Sequence, residues 1–360
     1  MYLYLIFWGL YILTFLYTCL PKRKYLSVHS QLIWYWGFVT LFIILSTFRW
    51  ENGTDWSSYL YYFNYVSFFS EGEMEIGYTI LNRLTSSIGN YTFHLFIMAI
   101  LCILPVAKYY VLNSRIPLFS LLVWFVCSLG TIFPVRQSIS IALFAISLKY
   151  VCERKVLQFL LCILLASSFH VSALITLPVF WLWSLSFSRK SICVYLISFT
   201  VLVFLFKDLP YSFLSSFGGE YIQFKLNSYL DSADDNFGSA YSLEQIMFNG
   251  IVNRSFLLII FFYYLDRKRK VDLQLNGYLN LYIYSFLLFL FLSPLSVALP
   301  RLCVYTDITQ ILLIPYVFKL KMRKNFKMLL FFVFSVYLFY RFNGVVNNYY
   351  DLYIPYHFVF

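Results

Sequence analysis

Charge is what this sequence has least of. Asp, Glu, Lys and Arg make up only 12% of it, against roughly 25% in an ordinary soluble domain. A solvated globule of this length is excluded. Histidine is scarce as well: there are four, and none stands at an HxxxH or HExxH spacing, so no helical zinc motif is present. The seven cysteines lie scattered in or beside apolar runs without a CxxC pair. That excludes a zinc ribbon or a disulfide framework and leaves small core residues. The first apolar run starts at Tyr2 with no basic segment before it, and "PKRK" follows it. This is the reverse of a secretory signal and predicts a retained first helix with its N-terminus outside.

What is present is hydrophobic. Apolar residues make up 61% of the chain and aromatic ones 23%. Runs long enough to cross a bilayer recur, each crossing needing about 20 residues. We expect an all-α, polytopic integral membrane protein with about twelve transmembrane helices in a single transmembrane domain, 1–360. The expected segments include 116–134, 137–152, 171–187, 301–318 and 328–340, several of them short enough to be broken or buried.

The net charge of +11 does not indicate nucleic acid, because its distribution follows the membrane. Basic residues gather in alternate loops: Lys22, Arg23 and Lys24; Lys108 and Arg115; Lys149, Arg154 and Lys155; Arg189 and Lys190; "DRKRK" at 266–270; and Lys319 to Lys327. The positive-inside rule makes that side cytoplasmic. Two long loops then face outward, approximately 49–90 and 207–243. In the first, Ile76, Ile80, Leu84 and Ile88 recur at helical spacing after an aromatic run, which predicts a helix lying on the membrane surface. The many outer aromatics read either as an interface belt or as stacking surfaces for sugar.

A charged side chain in hydrocarbon costs at least about 2.5 kcal/mol and is usually paired or functional. Five basic or titratable residues fall on the outer side: Arg49, Arg136, His170, Arg254 and Arg301. Arg136, His170 and Arg301 are expected at outward-facing helix N-termini, where free N–H groups and the dipole attract anions. Arginine adds a permanent charge and a fork for phosphate oxygens. Such a cluster suggests a lipid phosphate or pyrophosphate. Each member also has a plainer reading: a helix-end arginine can snorkel, His170 can be a packing residue, and Arg254 can bridge to Asp307. Glu51 and Asp55 can act as general bases or pair with Arg49. Asn52-Gly53 between them signals a sharp turn. No DxD-like pair stands out apart from Asp234-Asp235 in a polar loop, so no metal or other cofactor is expected.

In sequence order, "FRWENGTDWSSYLYYF", "GYTILNRL", the stretch from "PVRQSIS" to "SSFHVSALITLPVF", "ALPRLCVYTDITQILLIP" and "LYIPYHFVF" resemble the EpsG family of Wzy-like polysaccharide polymerases. The strongest blocks are Arg49, Asp55 and Tyr59; the pair Arg136-Gln137; and the pair Phe169-His170. Loop 207–243 has no recognised counterpart. The resemblance implies a GT-C-like glycosyltransferase in the bacterial cytoplasmic membrane, its active site facing the periplasm or cell exterior. It would join repeat units of O-antigen, capsule or exopolysaccharide carried on undecaprenyl pyrophosphate, which serve as donor and acceptor. A chain-length regulator and a flippase of the same pathway are the implied partners. Arg136, Gln137, Arg301, Arg49 and Arg254 would bind the pyrophosphate. His170, Asp55 and Glu51 would serve the chemistry, with His170 and Asp55 ahead of Glu51 and Glu220. Three rivals remain: a flippase or transporter of the same glycan, a membrane O-acyltransferase, and a structural partner in an assembly complex. The absence of a clear internal repeat weighs against the transporter.

Overall fold

In a bilayer every backbone N–H and C=O needs a partner inside the protein, so an apolar chain of this kind folds as helices. The computed structural model describes residues 2–20, 27–67, 74–206, 209–217, 223, 227 and 240–360. Lys22, Arg23, Lys24, Glu220, Asp234, Asp235 and most of loop 207–243 lie outside the described residues. The helices of the first half are α1 (Tyr2–Cys19), α2 (Val28–Phe48), α3 (Trp56–Tyr65), α4 (Ile76–Ile88), α5 (Tyr91–Asn113), α6 (Pro117–Ser128), α7 (Arg136–Cys152) and α8 (Val156–Phe169). Later helices include Arg189–Leu205, Leu243–Arg269, Leu273–Leu292, Gln310–Lys319 and Lys324–Asn348. Seven of the described helical segments are long and apolar enough to cross a membrane, and shorter apolar helices accompany them. This is an all-α multi-pass membrane protein.

The described residues form two compact units, Met1–Phe180 with Ile314–Phe360, and Trp181–Leu313. In the first, α6 is apolar all round and lies at the centre: Leu118, Phe119, Leu121, Leu122, Val123 and Phe125 are fully buried. A helix without a polar face belongs in an interior. The helix expected over 116–134 stops at Ser128 instead. Leu129, Gly130 and Thr131 follow with φ of 49°, 62° and 59°, one left-handed turn. A side chain on Gly130 would run into the Phe42 ring, so only glycine fits there. That turn carries Phe133-Pro134 to the start of α7. The segment expected over 171–187 is also broken, into a 3-10 turn Val171–Thr176 and a short helix Val179–Leu182. The last segment runs longer than 328–340, over Lys324–Asn348.

Helix α4 lies where the periodicity put it, with an inverted amphipathicity. Ile76, Ile80, Leu84 and Ile88 are all exposed, whereas Tyr78, Thr79, Asn82 and Thr85 are buried. The polar face points inward because partners wait there: Tyr62 Oη meets Thr79 Oγ1 at 2.7 Å, and Thr85 Oγ1 meets His94 Nδ1 at 2.8 Å. The exposed apolar stripe suits lipid.

The second unit shows how a non-helical backbone is tolerated in an apolar chain. Residues 182–187 leave carbonyls without helical donors, and side chains of Leu273–Leu292 supply them. Asn280 Nδ2 donates to the carbonyls of Leu182 (2.9 Å) and Leu185 (2.7 Å), and Asn276 Nδ2 to Leu185 (2.8 Å). Arg269 Nη2 donates to the Phe187 carbonyl at 2.6 Å, while its Nε bonds Asp266, which also holds Arg189. Gly277 lets the Trp183 ring lie directly on the helix backbone.

Replacing Asn280 by leucine removes both donors. An unsatisfied buried acceptor costs about 1–3 kcal/mol, so Asn280→Leu should lower the melting temperature of detergent-purified protein and its membrane abundance. An unchanged melting curve would show that these carbonyls need no capping.

Candidate functional site

The residues singled out in the sequence fall into separate groups. Arg49, Asp55, Glu51, Arg136, Gln137 and His170 belong to the first unit, Arg254 and Arg301 to the second.

Arg49 ends α2 and begins a two-residue strand, β1 (Arg49–Trp50), paired antiparallel with β2 (His357–Phe358) of the C-terminal tail. The residue is only 2% exposed. Its Nη1 donates to the Asn52 carbonyl and its Nη2 to the Pro134 carbonyl, both at 3.2 Å. The guanidinium lies 5.1 Å from the Trp56 ring centroid, and its Nε has no partner. Burial pulls the guanidinium below its ordinary value. Among the described residues no carboxylate pairs with it. The expected alternative of Glu51 or Asp55 as its partner therefore does not hold: both side chains are exposed and make no ion pair. Glu51 (φ 51°), Gly53 (φ 95°) and Asp55 (φ 60°) all lie in the left-handed region, a cluster of backbone strain of the kind kept at functional sites.

Asn52 ties this turn to the tail. Its Nδ2 donates to the Pro355 carbonyl at 2.9 Å and its Oδ1 accepts from the His357 N–H at 2.6 Å. The Gly53 N–H donates to the Leu352 carbonyl at 2.8 Å. Phe133, beside the Pro134 that caps Arg49, stacks on Tyr353 with centroids 4.7 Å apart.

Arg136 is the first residue of the 17-residue α7, as expected. Ser138 Oγ accepts from the Val135 N–H and closes the helix start. The guanidinium forms an ion pair with Glu75, the residue before α4. Its Nε lies 3.4 Å from Tyr59 Oη, and the rings of Tyr59 and Tyr78 stand 6.0 and 5.9 Å away. Burial raises the Tyr59 phenol above its ordinary value, and the Arg136 charge offsets part of that rise. One turn of α3 thus serves both arginines, Trp56 for Arg49 and Tyr59 for Arg136. Pro134 O holds Arg49 two residues before Arg136. Gln137 is half-buried beside it.

His170 caps the end of α8, with Nδ1 2.5 Å from Ser172 Oγ. It precedes a 3-10 turn and not the long helix expected there. Gly77 of α4 packs so closely on Ser168 that a Cβ would meet the Ser168 carbonyl. The His170 corner is thereby held at the same end of α4 as Glu75.

In the second unit Arg254 takes the structural role foreseen for it. Its Nη2 bonds Asp307 Oδ2 at 2.5 Å, Ser285 Oγ donates to Asp307 Oδ1 at 2.5 Å, and the Phe289 ring centroid lies 4.1 Å from the guanidinium. Arg301 is exposed within a 3-10 turn, Leu299–Cys303, and does not open an α-helix as expected. Among the described residues no group of three His, Cys, Asp or Glu side chains is placed to hold a metal ion.

Glu75, Tyr78 and the Pro134 carbonyl were missed in the sequence. The signal for Glu75 was its place directly before the amphipathic run of α4. Arg49→Lys keeps the charge but loses the fork that reaches two carbonyls. It should lower the melting temperature by the equivalent of about 1–3 kcal/mol. Asp55→Asn, at an exposed and unpaired side chain, should stay within about 0.5 kcal/mol of wild type. Thermal unfolding followed by tryptophan fluorescence reads both.

The EpsG family profile matches residues 32–358, from within α2 through β2. No curated protein and no solved structure matches the chain. The chain belongs to the EpsG family, whose members are Wzy-like polysaccharide polymerases.

Proposed function

We propose that this protein polymerises a bacterial surface polysaccharide at the outer face of the cytoplasmic membrane. It joins oligosaccharide repeat units carried on undecaprenyl pyrophosphate, within a GT-C-like scaffold of about twelve crossings. The non-reducing-end hydroxyl of one lipid-linked unit attacks the anomeric carbon of the growing glycan. Undecaprenyl pyrophosphate leaves. The product class is O-antigen, capsule or exopolysaccharide, and a flippase and a chain-length regulator act beside the enzyme.

One observation supports the reading: among the described residues Arg49 is buried without a carboxylate partner, and it is tied to the residue two positions before Arg136. A buried cation without an anion is costly in a protein interior. An arriving pyrophosphate would supply the missing negative charge. Arg136 adds a second guanidinium at the start of a 17-residue helix, where backbone N–H groups and the dipole favour an anion. Preorganised positive groups at a developing charge are often the largest single contribution to catalysis. The loss of basic residues from this side relative to the opposite loops supports the outward orientation.

Removing one such donor costs about 10²–10³ in turnover. In a deletion strain carrying Arg136→Ala at wild-type membrane abundance, the surface-glycan ladder should therefore collapse to a single repeat unit. A full ladder would remove Arg136 from the mechanism. Loss of every outward-facing unit on gene deletion, the single one included, would favour the flippase. Loss of acyl groups alone, with length unchanged, would favour the acyltransferase.

A further inference from the structure

Arg136 already holds an anion. Its partner Glu75 is a half-buried carboxylate, with side-chain exposures of 24% for Arg136 and 14% for Glu75. Glu75 occupies the N-cap position of α4, yet its side chain makes no capping hydrogen bond. Nothing ties the carboxylate to its own helix. The helix itself is pinned at Gly77 against Ser168. Tyr59 and Tyr78 wall the guanidinium on its aromatic side. The corner therefore contains two arginines and one carboxylate that Arg136, and not its own helix, holds in place.

A pyrophosphate that reaches Arg136 competes with Glu75 for the same guanidinium. Like charges at one site repel, and a carboxylate that loses its cationic partner becomes a better proton acceptor. Donor binding thus does two things at once. It fills the arginine and frees a base within a side chain's reach of the leaving group. Asp55 and Glu51, exposed and unpaired, have no such coupling to the donor.

We propose that Glu75 is the catalytic base for the acceptor hydroxyl, held in reserve by Arg136 until the donor's pyrophosphate displaces it. This rests on the polymerase reading. The proton of the acceptor O–H passes to the Glu75 carboxylate as the oxygen bonds the anomeric carbon. The bond from that carbon to the pyrophosphate oxygen breaks, and its electron pair leaves on the pyrophosphate, facing Arg136 and Arg49.

The test separates a base from a carboxylate that merely orients Arg136. Wild type, Glu75→Gln and Glu75→Asp are purified into nanodiscs. Binding of undecaprenyl pyrophosphate is titrated, and elongation is measured with lipid-linked repeat units extracted from the producing strain. Without the internal competitor, Glu75→Gln should bind the pyrophosphate lipid about tenfold more tightly. Its elongation at saturating substrate should fall by about 10² or more, the usual contribution of a general base. Glu75→Asp, which keeps a carboxylate, should recover part of the elongation and controls for folding. Elongation by Glu75→Gln within about threefold of wild type would overturn the role. Weaker binding together with slower turnover would overturn it too, since an orienting carboxylate gives that pattern. Wild-type protein that binds the lipid but never elongates would overturn the polymerase reading itself.

Discussion

A guanidinium cannot shed its charge, so a buried one must be surrounded by acceptors. Arg49 sets that condition for the first unit. Its forks reach the carbonyls of Asn52 and Pro134, and its face lies on Trp56. Meeting those demands brings together the end of α2, the strained turn after it, the first turn of α3 and the segment leading into α7. Asn52 extends the junction to the C-terminal tail, which closes it with β2. The positions of Tyr59 and Arg136 follow from this junction, and Glu75 meets Arg136 from the start of α4. Among the described residues this cation has no carboxylate partner, and that deficit is the basis for proposing an anionic substrate.

Much of this was legible beforehand. The helical class follows from hydropathy, because lipid admits few alternatives. Arg136 at a helix start and the α4 periodicity at Ile76, Ile80, Leu84 and Ile88 were both readable and both correct in place. What the periodicity did not show was what the opposite, polar face would meet, since those partners lie elsewhere in the chain. The inward hydrogen bonds of Thr79 and Thr85 decide that, and they are tertiary. The breaks at Leu129–Thr131 and within 171–187 were hidden for a related reason. Apolar composition runs straight through them, while the left-handed turn depends on Phe42 lying against Gly130.

The arginines show the limit most clearly. In the sequence, Arg49, Arg136, Arg254 and Arg301 were all candidates for one pyrophosphate site, each with a plainer alternative. The structure sorts them by partner. Arg254 is matched by Asp307, which Ser285 in turn holds, within its own unit, and Arg269 by Asp266. These pairs satisfy buried charge and hold helices. Arg136 is matched by a carboxylate from the start of a separate helix, and Arg49, among the described residues, by carbonyls and the Trp56 ring. Pairing over a separation such as Glu75 to Arg136 is set by tertiary structure, so the residue that neutralises Arg136 was not singled out in the sequence.

The proposed function requires that this chain by itself lengthen a lipid-linked glycan. The most direct measurement is elongation in proteoliposomes containing only the purified protein and its lipid-linked repeat unit, with products sized by gel and released lipid pyrophosphate assayed in parallel. Glycans of many repeats are expected, with one lipid pyrophosphate released for each linkage formed. Folded protein that moves the unit across the bilayer, or leaves it as a single repeat with no pyrophosphate lipid released, would contradict that function.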